Sequence, residues 1–198
     1  MNLTELSAIG PIDGRYRRVT KSLSAYFSEA SLIQYRIKVE VEYFIALANI
    51  PLPQLADYNQ ENNRLLRDLY LNFTETDAAR VKEIEKTTNH DVKAVEYFIK
   101  EKMDELAIGQ QKEFIHFGLT SQDINNTAVP MTLKDGVEQQ YIPLLASLID
   151  LLKQLAKDWE DVSMLARTHG QPASPTRLGK EVCVFTERLD VQLDQLKK

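Results

Sequence analysis

Apolar positions along this chain recur mostly at three- and four-residue spacing, the signature of helices, and alternating strand-like runs are scarce. The clearest stripe is Val92, Val95, Phe98, Ile99, Met103 and Leu106, an amphipathic helix that Gly109 is placed to close. Between residues 21 and 48 apolar side chains fall on nearly every side (Ile33, Ile37, Val41, Phe44 and Ile45 among them), which predicts a buried helix. The Pro51/Pro53 pair ends it. Shorter helices are predicted over 62–73 and 77–86. A long one spans 121–159, where Pro130 and Pro143 each remove an intrahelical hydrogen bond and predict a kink or interruption. Its stripe Leu144, Leu148, Leu151 and Leu155 is heptad-like, and Val182, Phe185, Leu189, Leu193 and Leu196 repeat the style in a last helix. That last pattern is still running at Lys198 without a cap, so the chain is expected to be cut inside a helix. The fold class predicted is all-α, a small helical portion followed by the beginning of a long-helix bundle.

Composition adds exclusions more than detail. With 43% hydrophobic and 27% charged residues among 198, the chain is an ordinary globular sequence. Its net charge of -5 argues against a nucleic-acid partner, which usually meets a basic face. An anionic small molecule would need positive groups collected locally, and Arg15, Arg17 and Arg18 cluster around Tyr16. No apolar run reaches the roughly 18 residues of a membrane span. The start lacks a secretory signal. The single Cys183 sits in an apolar stretch, reads as a buried inert thiol and fits a reducing, cytoplasmic setting. Three histidines without ligand spacing make no metal site. No phosphate-cradling glycine loop or serine nucleophile elbow occurs.

Three polar clusters interrupt the helical pattern. Thr87-Thr88-Asn89-His90-Asp91 reads as a helix start, with Thr88 or Asn89 as the cap and Asp91 in the first turn. Such a start presents free N–H groups that bind anions, and His90 adds a proton-sensitive donor. Thr120-Ser121-Gln122-Asp123 resembles a capping box and has the same double meaning, with Asn125 and Asn126 behind it. Arg167-Thr168-His169-Gly170-Gln171-Pro172 reads as a loop between helices, where a histidine beside glycine can reach a ligand. His116, among Phe114, Ile115 and Phe117, reads as a core or supporting histidine.

Taken in order, these segments resemble the adenylosuccinate lyases of the fumarase/aspartase superfamily. The resemblance runs through Pro11-Ile-Asp-Gly-Arg15-Tyr16, then Thr87 to Phe98, then Glu113-Phe-Ile-His-Phe117. It continues with Thr120-Ser-Gln-Asp-Ile-Asn-Asn126 and Arg167-Thr-His-Gly-Gln-Pro-Ala-Ser-Pro-Thr176, leading to Gly179-Lys-Glu181. The first two segments separate it from argininosuccinate lyase and the cycloisomerases. A non-catalytic helical assembly module, which periodicity alone would favour, leaves these polar clusters at helix boundaries unexplained.

The resemblance implies a cytoplasmic homotetrameric enzyme of purine biosynthesis. It would eliminate fumarate from adenylosuccinate to give AMP, and from the succinylcarboxamide ribonucleotide (SAICAR) to give AICAR, without cofactor or metal. Residues 1–109 would form the amino-terminal helical domain and 110–198 the first, truncated part of the central bundle. Arg15 and Tyr16 would contact the nucleotide phosphate, with His90 near it and Asn89 and Asp91 lining the site. Thr120 and Ser121 would hold a succinyl carboxylate. His169 would be the general acid, supported by Thr168 and Gln171. The superfamily's Gly-Ser-Ser-x-x-Met-Pro loop, which carries the serine base, is absent, and the chain holds no Ser-Ser pair at all. The 198-residue chain is therefore expected to be inactive alone.

Overall fold

A computed structural model describes residues 3–10 and 13–198. It divides into two compact units, up to Gly136 and from Val137 onward. The first unit opens with α1 (Asp13–Thr20) and the single turn α2 (Ser24–Phe27), then α3 (Glu29–Ala48). The continuous helix expected over 21–48 is broken at Ser28. This residue turns extended (φ -92°, ψ 165°) and its Oγ accepts from the Ser31 amide, capping α3. After the proline-rich stop come α4 (Asn63–Leu71), α5 (Glu75–Thr88) and α6 (Asp91–Glu105). Thr74 and Asp77 form a reciprocal capping box at the start of α5.

Most of the α6 stripe behaves as its spacing requires: Val92, Val95, Phe98, Ile99 and Met103 are buried, while Leu106, just past the helix end, is exposed. Its stop differs from expectation. Ala107, not Gly109, takes the left-handed conformation (φ 59°). The Ile108 amide then donates to the Met103 carbonyl at 2.9 Å and the Ala107 amide to the Asp104 carbonyl at 3.0 Å, a Schellman closure. The core joins Ile33, Ile37, Val41 and Phe44 of α3 to Leu66 of α4, Val81 of α5 and the α6 stripe. Burying each such side chain contributes roughly 1.5–3 kcal/mol. The last helix of this unit, α7 (Ser121–Gly136), packs along α3. There the Tyr35 hydroxyl donates to Asp135 at 2.6 Å.

The second unit begins with a π-helical segment over Val137–Tyr141, then α8 (Ile142–Asp158). Of the two prolines expected to break the run, Pro130 lies inside α7, which continues uninterrupted to Gly136, while the widened turn precedes Pro143 in the first turn of α8, where its missing N–H costs little. An antiparallel hairpin follows, β1 (Ser163–Thr168) and β2 (Gln171–Arg177), then α9 (Leu178–Leu196), which packs on α8. The hairpin replaces the loop expected at 167–172. Its β2 strand carries Pro172 and Pro175, tolerable because a two-stranded ribbon has free edges. Gly179 lets α9 touch α8: a Cβ there would lie 2.1 Å from the Ala156 carbonyl oxygen.

Two further outcomes concern apolar surface. Leu144, Leu148 and Leu151 on α8 and Phe185 on α9 are exposed. Cys183 is exposed as well, correcting the buried reading. Its neighbours Val184 and Phe185 are also exposed. Among the described residues no helix is long and apolar enough to cross a membrane.

Candidate active site

Within the first unit, three of the four predicted segments can be followed at atomic level. Pro11 and Ile12 lie outside the described residues. Arg15 and Tyr16 project from α1 as an exposed pair, with the Arg15 guanidinium 5.4 Å from the Tyr16 ring centre. Arg17 instead turns inward. Its Nη1 donates to the Ser7 carbonyl, to the buried Asp13 carboxylate and to Ser24 Oγ, so it anchors the first turns rather than facing a ligand. The arginine cluster thus splits into one structural and two outward cations.

The segment at 87–91 makes a sharper joint than the expected cap. Asn89 ends α5 in the left-handed conformation (φ 51°), which asparagine tolerates better than most residues. His90, not Thr88 or Asn89, is the N-cap of α6, its Nδ1 accepting from the Lys93 amide at 3.2 Å. That bond leaves the proton of the neutral ring on Nε2. Asn89, His90 and Asp91 line an open groove of about 1110 Å³ that also takes in Lys82, Lys86 and Glu29. Lys82 is already paired with Glu29 and Glu85, and Lys86 with Glu83.

At the start of α7 the Thr120 hydroxyl and amide both donate to Asp123 Oδ2 at 2.8 Å. These bonds hold the Asp123 carboxyl below the usual carboxylate range. Ser121 follows as the first helical residue, half-buried, with its hydroxyl at the amide-rich end of α7.

A residue that the motif reading passed over ties these two helix starts together. Arg36 lies in the middle of α3, only 6% exposed. Its Nη2 donates to Asp91 at 2.7 Å and its Nε to Asn125 at 2.9 Å. Burial raises Asp91, but the Val92 amide and the Arg36 charge outweigh it and keep the carboxyl below its ordinary value. Four residues on, the same face of α3 places Glu40, fully buried, against His116, with Oε1 2.7 Å from Nδ1. The signal in the sequence was weak: Arg36 and Glu40 alternate with Lys38 and Glu42 along the same helix, and only their four-residue spacing places them on one face.

In the second unit Thr168 and Gln171 are the closing pair of the hairpin, and His169-Gly170 is its two-residue tip. Both tip residues have positive φ (52° and 75°), the requirement of a primed hairpin turn. Glycine takes it freely, whereas a histidine there is strained, a condition that clusters at functional positions. Arg167 Nη1 braces the tip by donating to the Gly170 carbonyl at 3.2 Å. Thr168, His169 and Gln171 are all exposed. An exposed imidazole on a stiff two-residue turn can be delivered to a ligand without reordering a loop.

Comparison with known proteins adds family membership to this geometry. A family model described as Lyase matches residues 14–198. The adenylosuccinate lyase of Dictyostelium discoideum is 54% identical over 203 residues, covering 100% of this chain and 44% of that protein. The adenylosuccinate lyase of Escherichia coli (strain K12) is 42% identical over 200 residues, again covering 44% of its length. The chain therefore spans less than half the length of these curated relatives. Among solved structures, a fumarate lyase from Mesorhizobium sp. BNC1 superposes with TM-score 0.69 at 22% identity, covering 89% of this chain and 39% of that one. The β-carboxy-cis,cis-muconate cycloisomerase of Acinetobacter calcoaceticus superposes with TM-score 0.69 at 17% identity, over 92% and 42%. These two likenesses establish the fold.

Proposed function

Because the chain belongs to this lyase family, we propose that it forms part of a carbon–nitrogen lyase releasing fumarate from adenylosuccinate to leave AMP. The same site would convert SAICAR to AICAR. The observation that carries this reading is the Arg36 clamp, which fixes Asp91 beside α6 and Asn125 near the start of α7 to one buried cation. At α6 the Val92 and Lys93 amides are already taken by Asp91 and His90, so an anionic substrate would be met at the α7 start, beside Ser121.

The elimination needs a base to take a weakly acidic proton from the carbon beside a carboxylate, and an acid to protonate the leaving nitrogen. Negative charge grows on that carboxylate, so fixed donors around it supply the main stabilisation. In our reading Thr120 and Ser121 hold a succinyl carboxylate, Arg15, Tyr16 and His90 the phosphate end, and Asn89 and Asp91 line the site. His169, with Thr168 and Gln171 beside it, gives the proton to the leaving nitrogen, a step worth roughly 10²–10⁴-fold. Imidazole suits this because it carries a transferable proton near neutral pH.

The whole-length protein would be a cytoplasmic homotetramer needing no cofactor, with residues 1–109 as its amino-terminal domain and the bundle domain starting at 110. The exposed leucines of α8 and Phe185 of α9 give such an assembly its contact face. The test is release of fumarate, followed by its ultraviolet absorbance, from adenylosuccinate. We expect turnover by the whole-length protein and none by these 198 residues, which carry no Ser-Ser base motif. A whole-length protein that leaves adenylosuccinate untouched refutes the reading.

A further inference from the structure

We propose that Glu40 is a positioning residue of this site: its buried carboxylate holds His116 by Nδ1, so that the ring presents a fixed Nε2–H to an anionic group of the substrate at the Thr120–Ser121 helix start. This rests on the lyase reading above. Glu40 is 0% exposed, and its Oε2 is buried with no hydrogen-bond partner. A carboxylate is costly in such a place, and a site meant only to fill space is better served by an apolar side chain. Among the described residues the one hydrogen bond Glu40 makes is the 2.7 Å contact to His116 Nδ1.

The other charges near the pair make the partnership specific. From α6, Glu96 is already answered by Lys93 at 2.7 Å and Lys100 at 2.9 Å. From α7, Asp123 is occupied by Thr120 and lies close enough for its carboxyl to respond to the His116 charge. Glu40 is therefore left with His116 as its counterion. Its hydrogen bond raises the imidazole above the ordinary histidine range, while burial raises the Glu40 carboxyl itself. Both effects keep the shared proton to higher pH than a free imidazole would. In the protonated ring Nδ1–H is committed to Glu40 and Nε2–H is the donor left over; once the ring loses a proton Nδ1 keeps its own and Nε2 can only accept, so donation to an anion belongs to the imidazolium that Glu40 stabilises. His116 stands four residues before Thr120, and its side chain is 18% exposed, so the ring is held but not sealed off.

The experiment uses Glu40→Gln, which keeps shape and removes charge, alone and combined with His116→Asn. In the whole-length protein, kcat/KM should fall roughly tenfold or more. The alkaline loss of activity should move to lower pH, because an imidazole without its carboxylate gives up its proton sooner. In the His116→Asn background, Glu40→Gln should add little. In parallel, ring-nitrogen NMR of the 198-residue chain follows His116 while fumarate or inorganic phosphate is added. The Nε2 signal should respond to an anion in the parent chain and lose that response in Glu40→Gln; which anion acts tells the succinyl end from the phosphate end. An unmoved pH profile, an equal loss in both backgrounds, or a ring indifferent to both anions overturns the proposal. A whole-length protein without lyase activity but with an anion-responsive, Glu40-dependent ring would sink the lyase reading and leave the positioning role standing.

Discussion

Replacing Arg36 by methionine tests the structural joint on which the site depends. Methionine keeps much of the apolar stem and removes the guanidinium. Two bonds are lost, at 2.7 Å to Asp91 and 2.9 Å to Asn125. Breaking a fully buried ion pair costs about 3–5 kcal/mol. Here Asp91 is 42% exposed and can be rehydrated, so the larger figures do not apply. Hydrogen bonds to a charged group are worth about 1.5–3 kcal/mol, and with water returning to Asp91 we take that range for the whole substitution. At about 2–4 °C per kcal/mol for a chain of this size, the unfolding midpoint should fall by roughly 3–12 °C, measured by far-ultraviolet circular dichroism. Arg36→Lys should sit between, since one ammonium cannot span both partners in the same planar fork. Combined with Asn125→Ala, the losses should be less than additive by about 0.5–1.5 kcal/mol. A midpoint for Arg36→Met within about 1 °C of the parent, or strict additivity, refutes the clamp.

Other consequences are equally direct. Gly179→Ala should destabilise the second unit and loosen α9 on α8, because its Cβ meets the Ala156 carbonyl oxygen at 2.1 Å; hydrogen exchange along α9 would read it. Phe44→Ala, at a position with 0% exposure, should cost about 3–5 kcal/mol in denaturant unfolding. Asp91 and Asp123 titrate below their ordinary values, so their stabilisation is complete above the ordinary carboxylate pKa and is lost as pH falls through the lower folded values. Thermal midpoints should therefore decline on acidification, and less steeply in Asp123→Asn. Leu144→Gln with Leu151→Gln should reduce self-association of the chain in sedimentation, since both side chains are more than half exposed.

Periodicity carried the helices because apolar spacing is a local record of which side faces the core. The α6 stripe from Val92 to Met103 is the plainest case, and all five of its core positions are buried. Ends were harder to read, since they depend on backbone conformations that several residue types can adopt. Ala107 took the left-handed position that Gly109 suggested, and His90 supplied the cap expected of Thr88 or Asn89. The hairpin was hidden because Pro172 and Pro175 look like loop residues and no alternating stripe exists on a ribbon exposed along both faces. Arg36 and Glu40 are hard to single out because Lys38 and Glu42 stand between and beside them, four charges in seven residues of which two face inward. Only the packing of α3 shows what they hold.

The role given to His169 is the claim on which the functional account turns. It stands at the tip of a stiff hairpin, in a left-handed conformation that costs a histidine energy and a glycine none. In the whole-length protein His169→Gln should lower kcat for fumarate release from adenylosuccinate by roughly 10²–10⁴-fold with the fold intact. A variant that folds normally and turns over adenylosuccinate at the parent rate would contradict it.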